Sequence, residues 1–380
     1  MGKNVLKYVI ILAAFMAASC GNKPTVESSL DGLFTSLFPS DGPGALVLVE
    51  KNGEIVYDKG FGLADLETLQ PLTDSTMFNI CSVSKQFSAM ALFILAKEGK
   101  LSLDDTVSKY FPQFKAPFFG RITLRNLLSH TSGLPDSRPR TEAEWKAYRA
   151  VHPSVYDSVK DYKLFCEEEE SLRYLETLDS LAFEPGTAYE YQNPTFQMAL
   201  PIVEKVTGEK FDDWMKEHVF LPAGMSGTMY FEPGRQIPNM AHGYSRGDDG
   251  QWKEDDYGEA NFFGTKADGG LYTTAREFLV WDKALYGDVL IPAEMRKEAH
   301  TSHIQTDIPY TGYGYGWFIE QRPDRPLKIY HTGDNGGFYI FEGRFPDKDV
   351  FYLIFANQPH WDRDKTVEEV DSILQKNGWI

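Results

Sequence analysis

Three cysteines in 380 residues are few. They exclude a disulfide scaffold and a Cys-rich zinc module. Positive charge is also scarce: 38 Lys and Arg stand against 55 Asp and Glu, a formal net charge of −17. Sequence-independent binding of nucleic acid depends on clustered Lys and Arg that displace counterions, so no nucleic-acid partner is expected. His300 and His303 are the one close histidine pair, with no third ligand near them in sequence. They read as surface histidines, and no metal or other cofactor is expected. Asp248-Asp249-Gly250 and Glu254-Asp255-Asp256 miss EF-hand spacing and read as an acidic surface loop. What is present is core material. With 42% hydrophobic and 14% aromatic residues, global disorder is excluded. The length suits roughly two domains or one large one.

The N-terminus reads as an address. Lys3 and Lys7 precede an apolar run from Tyr8 to Ala18, and Ser19-Cys20-Gly21 follows. The run is about half of what spans a bilayer. Its charged start and small-residue end have the layout of a signal segment. Ending on cysteine, residues 1–20 resemble a bacterial lipoprotein signal; ordinary secretion or an uncleaved anchor are the alternatives. The resemblance implies that Cys20 is lipidated and becomes the mature N-terminus. It also implies a membrane contact through that lipid, in the cell envelope of a bacterium, periplasmic or at the outer membrane. Loss of Lys3 and Lys7 takes the net charge from −17 to −19. Residues 21–35, polar and Pro-containing at their start, read as a tether to a domain over 36–380. Cys81 and Cys166, in apolar surroundings, read as buried thiols, with a Cys81–Cys166 disulfide left open.

Two β-rich runs, Ala45–Glu50 and Glu54–Lys59, flank Asn52-Gly53 and predict a hairpin. From Ser82 to Gly99 the apolar residues Phe87, Met90, Ala91, Ile94 and Leu95 fall at helical spacing. Further helices are expected over Leu124–Leu128, Glu142–Ala150, Tyr162–Leu178, Thr195–Val206, Phe211–Val219 and Ala275–Tyr286, with Glu167–Glu170 a solvated helix face. Strand character returns at Leu327–His331, Gly337–Phe345 and Val350–Asn357, and Lys365–Gln375 closes the chain as an amphipathic helix. Strands at both ends around a helical middle suggest one sheet built from both termini. The sheet part is expected over about 36–100 and 290–380, and the helical insertion over about 101–289.

Three short motifs carry chemistry. In Ser82-Val-Ser-Lys85 the serine and the lysine share one helix face, and Ser82 sits at a helix N-terminus that favours developing negative charge. A serine hydroxyl needs a base to take its proton, and a neighbouring lysine can supply one. A plain N-cap is the other reading of Ser82. In Tyr191-Gln-Asn193, residues i and i+2 of an extended segment face one side together. Lys85 beside Tyr191 would lower the phenol's pKa; a packing aromatic beside a turn Asn is the alternative. In His331-Thr332-Gly333 the glycine lets another backbone come close at a strand edge, as a strand-like substrate requires.

In this order, with Phe78-Asn-Ile-Cys-Ser82 leading in and Leu127-Leu-Ser-His-Thr-Ser-Gly-Leu-Pro135 between, these motifs resemble the class C β-lactamase and D-alanyl-D-alanine carboxypeptidase family of serine hydrolases. Pro185-Gly186 and Gly269-Gly270-Leu271 match as well. The resemblance runs from about Gly44 to Asn357. It implies an α+β fold, an antiparallel sheet flanked by helices plus an inserted, mostly helical domain. It implies an acyl-enzyme on Ser82, with Lys85 and Tyr191 handling the proton. Asn193 would bind the substrate amide, His331, Thr332 and Gly333 would line the cleft, and the backbone N–H groups of Ser82 and Asp334 would form the oxyanion hole. His130 and Gly133 read as structural. Many β-lactamases have Lys where His331 stands; a histidine is largely neutral at pH 7 and offers a drug's carboxylate no permanent cation. Asp334 adds a carboxylate beside the oxyanion hole. These departures point to a D-amino-acid peptidase or carboxypeptidase, or an esterase or amidase, acting on small-molecule or peptide substrates. A true class C β-lactamase and a catalytically dead penicillin-binding or scaffold lipoprotein are the alternatives.

Overall fold

Asn52 and Gly53 both take positive φ, 53° and 83°, as a tight two-residue hairpin turn requires. Strands β1 (Ala45–Lys51) and β2 (Glu54–Phe61) pair across them with Lys51 opposite Glu54. The computed structural model describes residues 24–136, 168–231, 236–255 and 265–380. The expected signal segment with Cys20, the helix expected over Glu142–Ala150, and Cys166 lie outside the described residues.

The hairpin joins strands from the other end of the chain. These are β3 (Ile304–Gln305), β4 (Thr311–Tyr313), β5 (Phe318–Glu320), β6 (Lys328–Asn335), β7 (Phe338–Phe345) and β8 (Val350–Ala356). The sheet runs β3-β4-β5-β6-β7-β8-β1-β2, antiparallel at every step. Strand β8 is buried along its whole length, which explains its unbroken apolar sequence. Phe351, Leu353 and Phe355 enter the larger core with helix α2 (Lys85–Lys97), while Val350, Tyr352 and Ile354 enter the smaller one on the opposite face. Period-2 alternation thus feeds two cores from one strand. Helix α2 is buried from Lys85 to Leu95, the pattern of a helix enclosed on all sides.

Helix α1 spans Val26–Leu37, so most of the segment expected to be a tether is structured. Thr25 caps it by accepting from Ser28 N at 3.1 Å. Val26, Leu30 and Phe34, four apart, are buried against the smaller core. Polar residues between them mask this stripe when the segment is read by composition alone. Helix α7 (Arg363–Lys376) lies on the same face through Val367, Val370 and Leu374.

Between the two sheet-forming stretches lie short helices. Among them are α3 (Leu124–Leu128), α4 (Asn193–Gln197), α5 (Lys266–Gly269) and α6 (Ala275–Tyr286). The helix expected over Thr195–Val206 is divided into Asn193–Gln197 and Ala199–Thr207. Glu168 opens a helix over Glu168–Glu176, but it is buried, not solvated.

Candidate active site

The nucleophile turn begins where a short strand, Met77–Asn79, ends. Asn79 Oδ1 accepts from Cys81 N at 2.8 Å, and buried Cys81 takes φ +49°. A non-glycine residue in the left-handed region is strained, and such strain gathers where a turn must present a side chain. Cys81–Ser84 then form a 3₁₀ turn that runs into α2. Residues i and i+3 eclipse in that geometry, which stacks Lys85 behind Ser82.

Lys85 is fully buried, and its Nζ donates to Ser82 Oγ at 3.0 Å, Asn193 Oδ1 at 2.9 Å and the Asp268 carbonyl at 3.0 Å. Three acceptors meet the three donors of an ammonium, which makes its burial tolerable. The same Nζ stands 4.9 Å from the centroid of the Tyr191 ring. The Tyr191 hydroxyl is buried without a hydrogen bond of normal geometry. Burial pushes its pKa well above 10, and the facing Ser82 hydroxyl pulls it back down. Lys85 does not lower it as expected: desolvation of the phenolate dominates.

Asn193 opens α4 with both ends of its amide engaged. Its Oδ1 accepts from Lys85, and its Nδ2 donates to Asp136 Oδ2 at 3.1 Å. Through Oδ1 it orients Lys85, and the side chain is only partly buried. His331 departs from expectation. It is fully buried on β6, off the cleft wall, and burial with the Lys85 charge nearby holds its pKa down at about 3. Nδ1 lies 2.6 Å from the Thr332 carbonyl, which can only accept, so the proton sits there. Nε2 then accepts from the Tyr313 hydroxyl at 2.9 Å. Strand alternation sends Thr332 and Asp334 into the cleft instead. Gly333 likewise does not meet the cleft: a Cβ on it would stand 2.5 Å from the Ile80 carbonyl and 3.2 Å from Ser82 N. The backbone it admits is the nucleophile turn, not a substrate.

His130 and Gly133 hold structure, as expected. His130 is fully buried and neutral, its Nδ1 accepts from Gln192 N at 3.1 Å, and its ring lies 4.2 Å from that of Tyr191. Gly133, at φ +75°, meets the Phe183 carbonyl where a Cβ would stand 2.1 Å away. His300, expected at the surface, is half-buried with its ring edge-on to Trp317 at 4.6 Å. Among the described residues no group of three His, Cys, Asp or Glu is placed to hold a metal ion.

Ser82, Tyr191, Thr332 and Asp334 border a cleft of about 680 Å³. Tyr189, Glu190, Gln305, Thr306, Asp307, Ile308 and Phe318 complete it, and no motif marks them. Tyr189 had a signal: it stands two residues before Tyr191 in an extended segment. Glu168 is a second omission. Its carboxylate accepts from the backbone of Lys266 and Ala267, bracing α5 just before the Asp268 carbonyl that receives Lys85. Burial raises its pKa to about 7.

A serine activated from behind by a lysine, faced by a phenol and set at the end of an antiparallel sheet defines a serine hydrolase of the β-lactamase type. Residues 36–375 match the family described as Beta-lactamase, and the chain belongs to it. A penicillin-binding protein of Bacillus subtilis strain 168 is 29% identical over 344 residues, covering 87% of this chain and 72% of its own length. The crystal structure of a penicillin-binding protein from Bacillus halodurans is similar with a TM-score of 0.75 at 25% identity, covering 91% of this chain and 99% of the other. A D-amino acid amidase from Ochrobactrum anthropi, complexed with D-phenylalanine, shares the fold with a TM-score of 0.72 at 21% identity, over 93% and 99%.

Proposed function

We propose that this protein is a cell-envelope serine hydrolase that forms an acyl-enzyme on Ser82, acting as a D-amino-acid peptidase or amidase or as an esterase. The observation that carries the reading is Lys85 Nζ at 3.0 Å from Ser82 Oγ, beside the open cleft. Ser82 Oγ attacks the carbonyl carbon while its proton passes to the Lys85–Tyr191 pair. The N–H groups of Ser82 and Asp334 receive the oxyanion. The same pair returns the proton to the departing amine or alcohol, and water releases the acyl group by the reverse sequence. Thr332 supplies a hydroxyl to the substrate from the strand side. His331, buried and neutral, contributes no cation for a carboxylate, which favours this reading over a β-lactamase. At the N-terminus we place a lipid on Cys20, which would hold the enzyme at the membrane of the envelope.

The test is labelling with a fluorophosphonate and a fluorescent penicillin, with hydrolysis of p-nitrophenyl esters beside it and Ser82→Ala as control. Labelling of the wild type alone is the expected result. No labelling and no ester hydrolysis by the wild type leave the enzyme reading without support and favour a scaffold protein.

A further inference from the structure

Arg363 stands at the first position of α7, where the helix dipole disfavours a cation. Its side chain is only 10% exposed. Asp334 answers it from the end of β6 in a two-pronged ion pair. Oδ1 accepts from one terminal nitrogen at 2.8 Å, and Oδ2 from the other at 3.2 Å. The guanidinium also donates to the carbonyls of Gly333 and Ile340 at 3.4 Å each and lies 4.0 Å over the Tyr339 ring. Its Nε finds no partner among the described residues. Packing, two carbonyls and one carboxylate therefore fix this cation directly behind the cleft wall that Asp334 forms.

Among the described residues, the cleft wall contains Glu190, Asp307 and Asp334 but no Lys, Arg or His. Lys85 is sealed beneath Ser82. Arg363 is a guanidinium in direct contact with the Gly333-Asp334 end, and its bidentate face, the geometry a carboxylate seeks, is already filled.

We propose that Asp334 occupies with its own carboxylate the guanidinium that a carboxylate-bearing substrate would need. The Asp334–Arg363 pair then selects acyl donors that are neutral or carry an ammonium, and rejects those with a free carboxylate on the leaving group. Occupancy of Arg363, more than repulsion by Asp334, does the selecting, because the pair is close to neutral. The inference rests on the Ser82 acyl-enzyme reading and narrows its substrate class: aminopeptidase- or amidase-like donors fit, carboxypeptidase-like ones do not.

The experiment compares kcat/KM for three matched acetate esters of phenols bearing a carboxylate, its methyl ester or an aminomethyl group at the meta position. Wild type should favour the neutral and ammonium esters over the carboxylate by about 10-fold or more, the scale of one charge-assisted contact. Asp334→Asn and Asp334→Ala should shift the carboxylate-to-neutral ratio upward by about 10-fold. Adding Arg363→Met to Asp334→Ala should abolish the shift. Ratios within one preparation cancel any loss of folded enzyme. A wild-type preference for the carboxylate, an unchanged ratio in both Asp334 variants, or a shift that survives the double substitution overturns the inference while leaving Ser82 chemistry intact. A wild type that hydrolyses none of the three and takes no fluorophosphonate overturns the acyl-enzyme reading itself, and this inference with it.

Discussion

The Lys85 ammonium lies 3.0 Å from the Ser82 hydroxyl and is held there from behind by Asn193 Oδ1 and the Asp268 carbonyl. Lys85 is thus an aimed donor that fixes the serine oxygen. The buried, otherwise unengaged Tyr191 hydroxyl faces the same oxygen. On the proposed reading, both groups take part in moving the serine proton. Lys85→Ala and Tyr191→Phe should each slow acylation by on the order of 10²–10⁴, measured by stopped-flow labelling, with melting temperature as the check on folding. Normal acylation in both variants would refute the pairing.

The 2.9 Å contact between Asn193 Oδ1 and Lys85 Nζ leads us to expect that Asn193 acts through Lys85. Asn193→Ala removes one of three acceptors and leaves the cleft wall unaltered, so kcat should fall by about 10-fold with KM nearly unchanged. A rise in KM alone would return Asn193 to substrate binding.

Gly333→Ala drives a Cβ to 2.5 Å from the Ile80 carbonyl. Either β6 or the strained Cys81-Ser82 turn must give way. The expected cost is about 1–3 kcal/mol in denaturant unfolding, together with weakened labelling of Ser82. Unchanged labelling at full stability would show that the two backbones are not in the contact described.

His331→Lys separates a cleft position from a buried one. In the cleft, the new cation would improve capture of a penicillin carboxylate. At the fully buried site beside Lys85, it should instead cost several kcal/mol of stability without faster penicillin acylation. Calorimetry and labelling rates together decide between the two.

Glu168 makes stability fall with rising pH. Burial raises its folded-state pKa from 4.5 to about 7, so the native state holds this proton more tightly than the unfolded chain does. Its contribution is complete below about pH 4.5 and is lost as pH rises through about 7. Glu168→Gln should flatten the decline in melting temperature over that window. A decline as steep as wild type would assign it to other groups.

The helix over Ala275–Tyr286 and the strands of the Asn-Gly hairpin were legible in the sequence because period and turn chemistry act locally. The nucleophile motif was legible because Ser82 and Lys85 are three residues apart on one turn. Helix α1 went unread because only Val26, Leu30 and Phe34 carry its apolar stripe, and their burial depends on a sheet completed more than 300 residues later. His331 was given the right neighbourhood and the wrong orientation. A motif names residues near one another, but strand alternation and competing hydrogen-bond partners decide which of them meet solvent.

By itself, the sequence determined the family, the elements with strong local periodicity or turn chemistry and the residues that gather around Ser82, because these follow from local spacing and from motif order. Tertiary structure alone decided that Asn193 serves Lys85, that His331 is sealed beneath the cleft and that Arg363 claims the Asp334 carboxylate. Each of those outcomes depends on a partner distant in the chain, brought within hydrogen-bond reach only when the sheet closes.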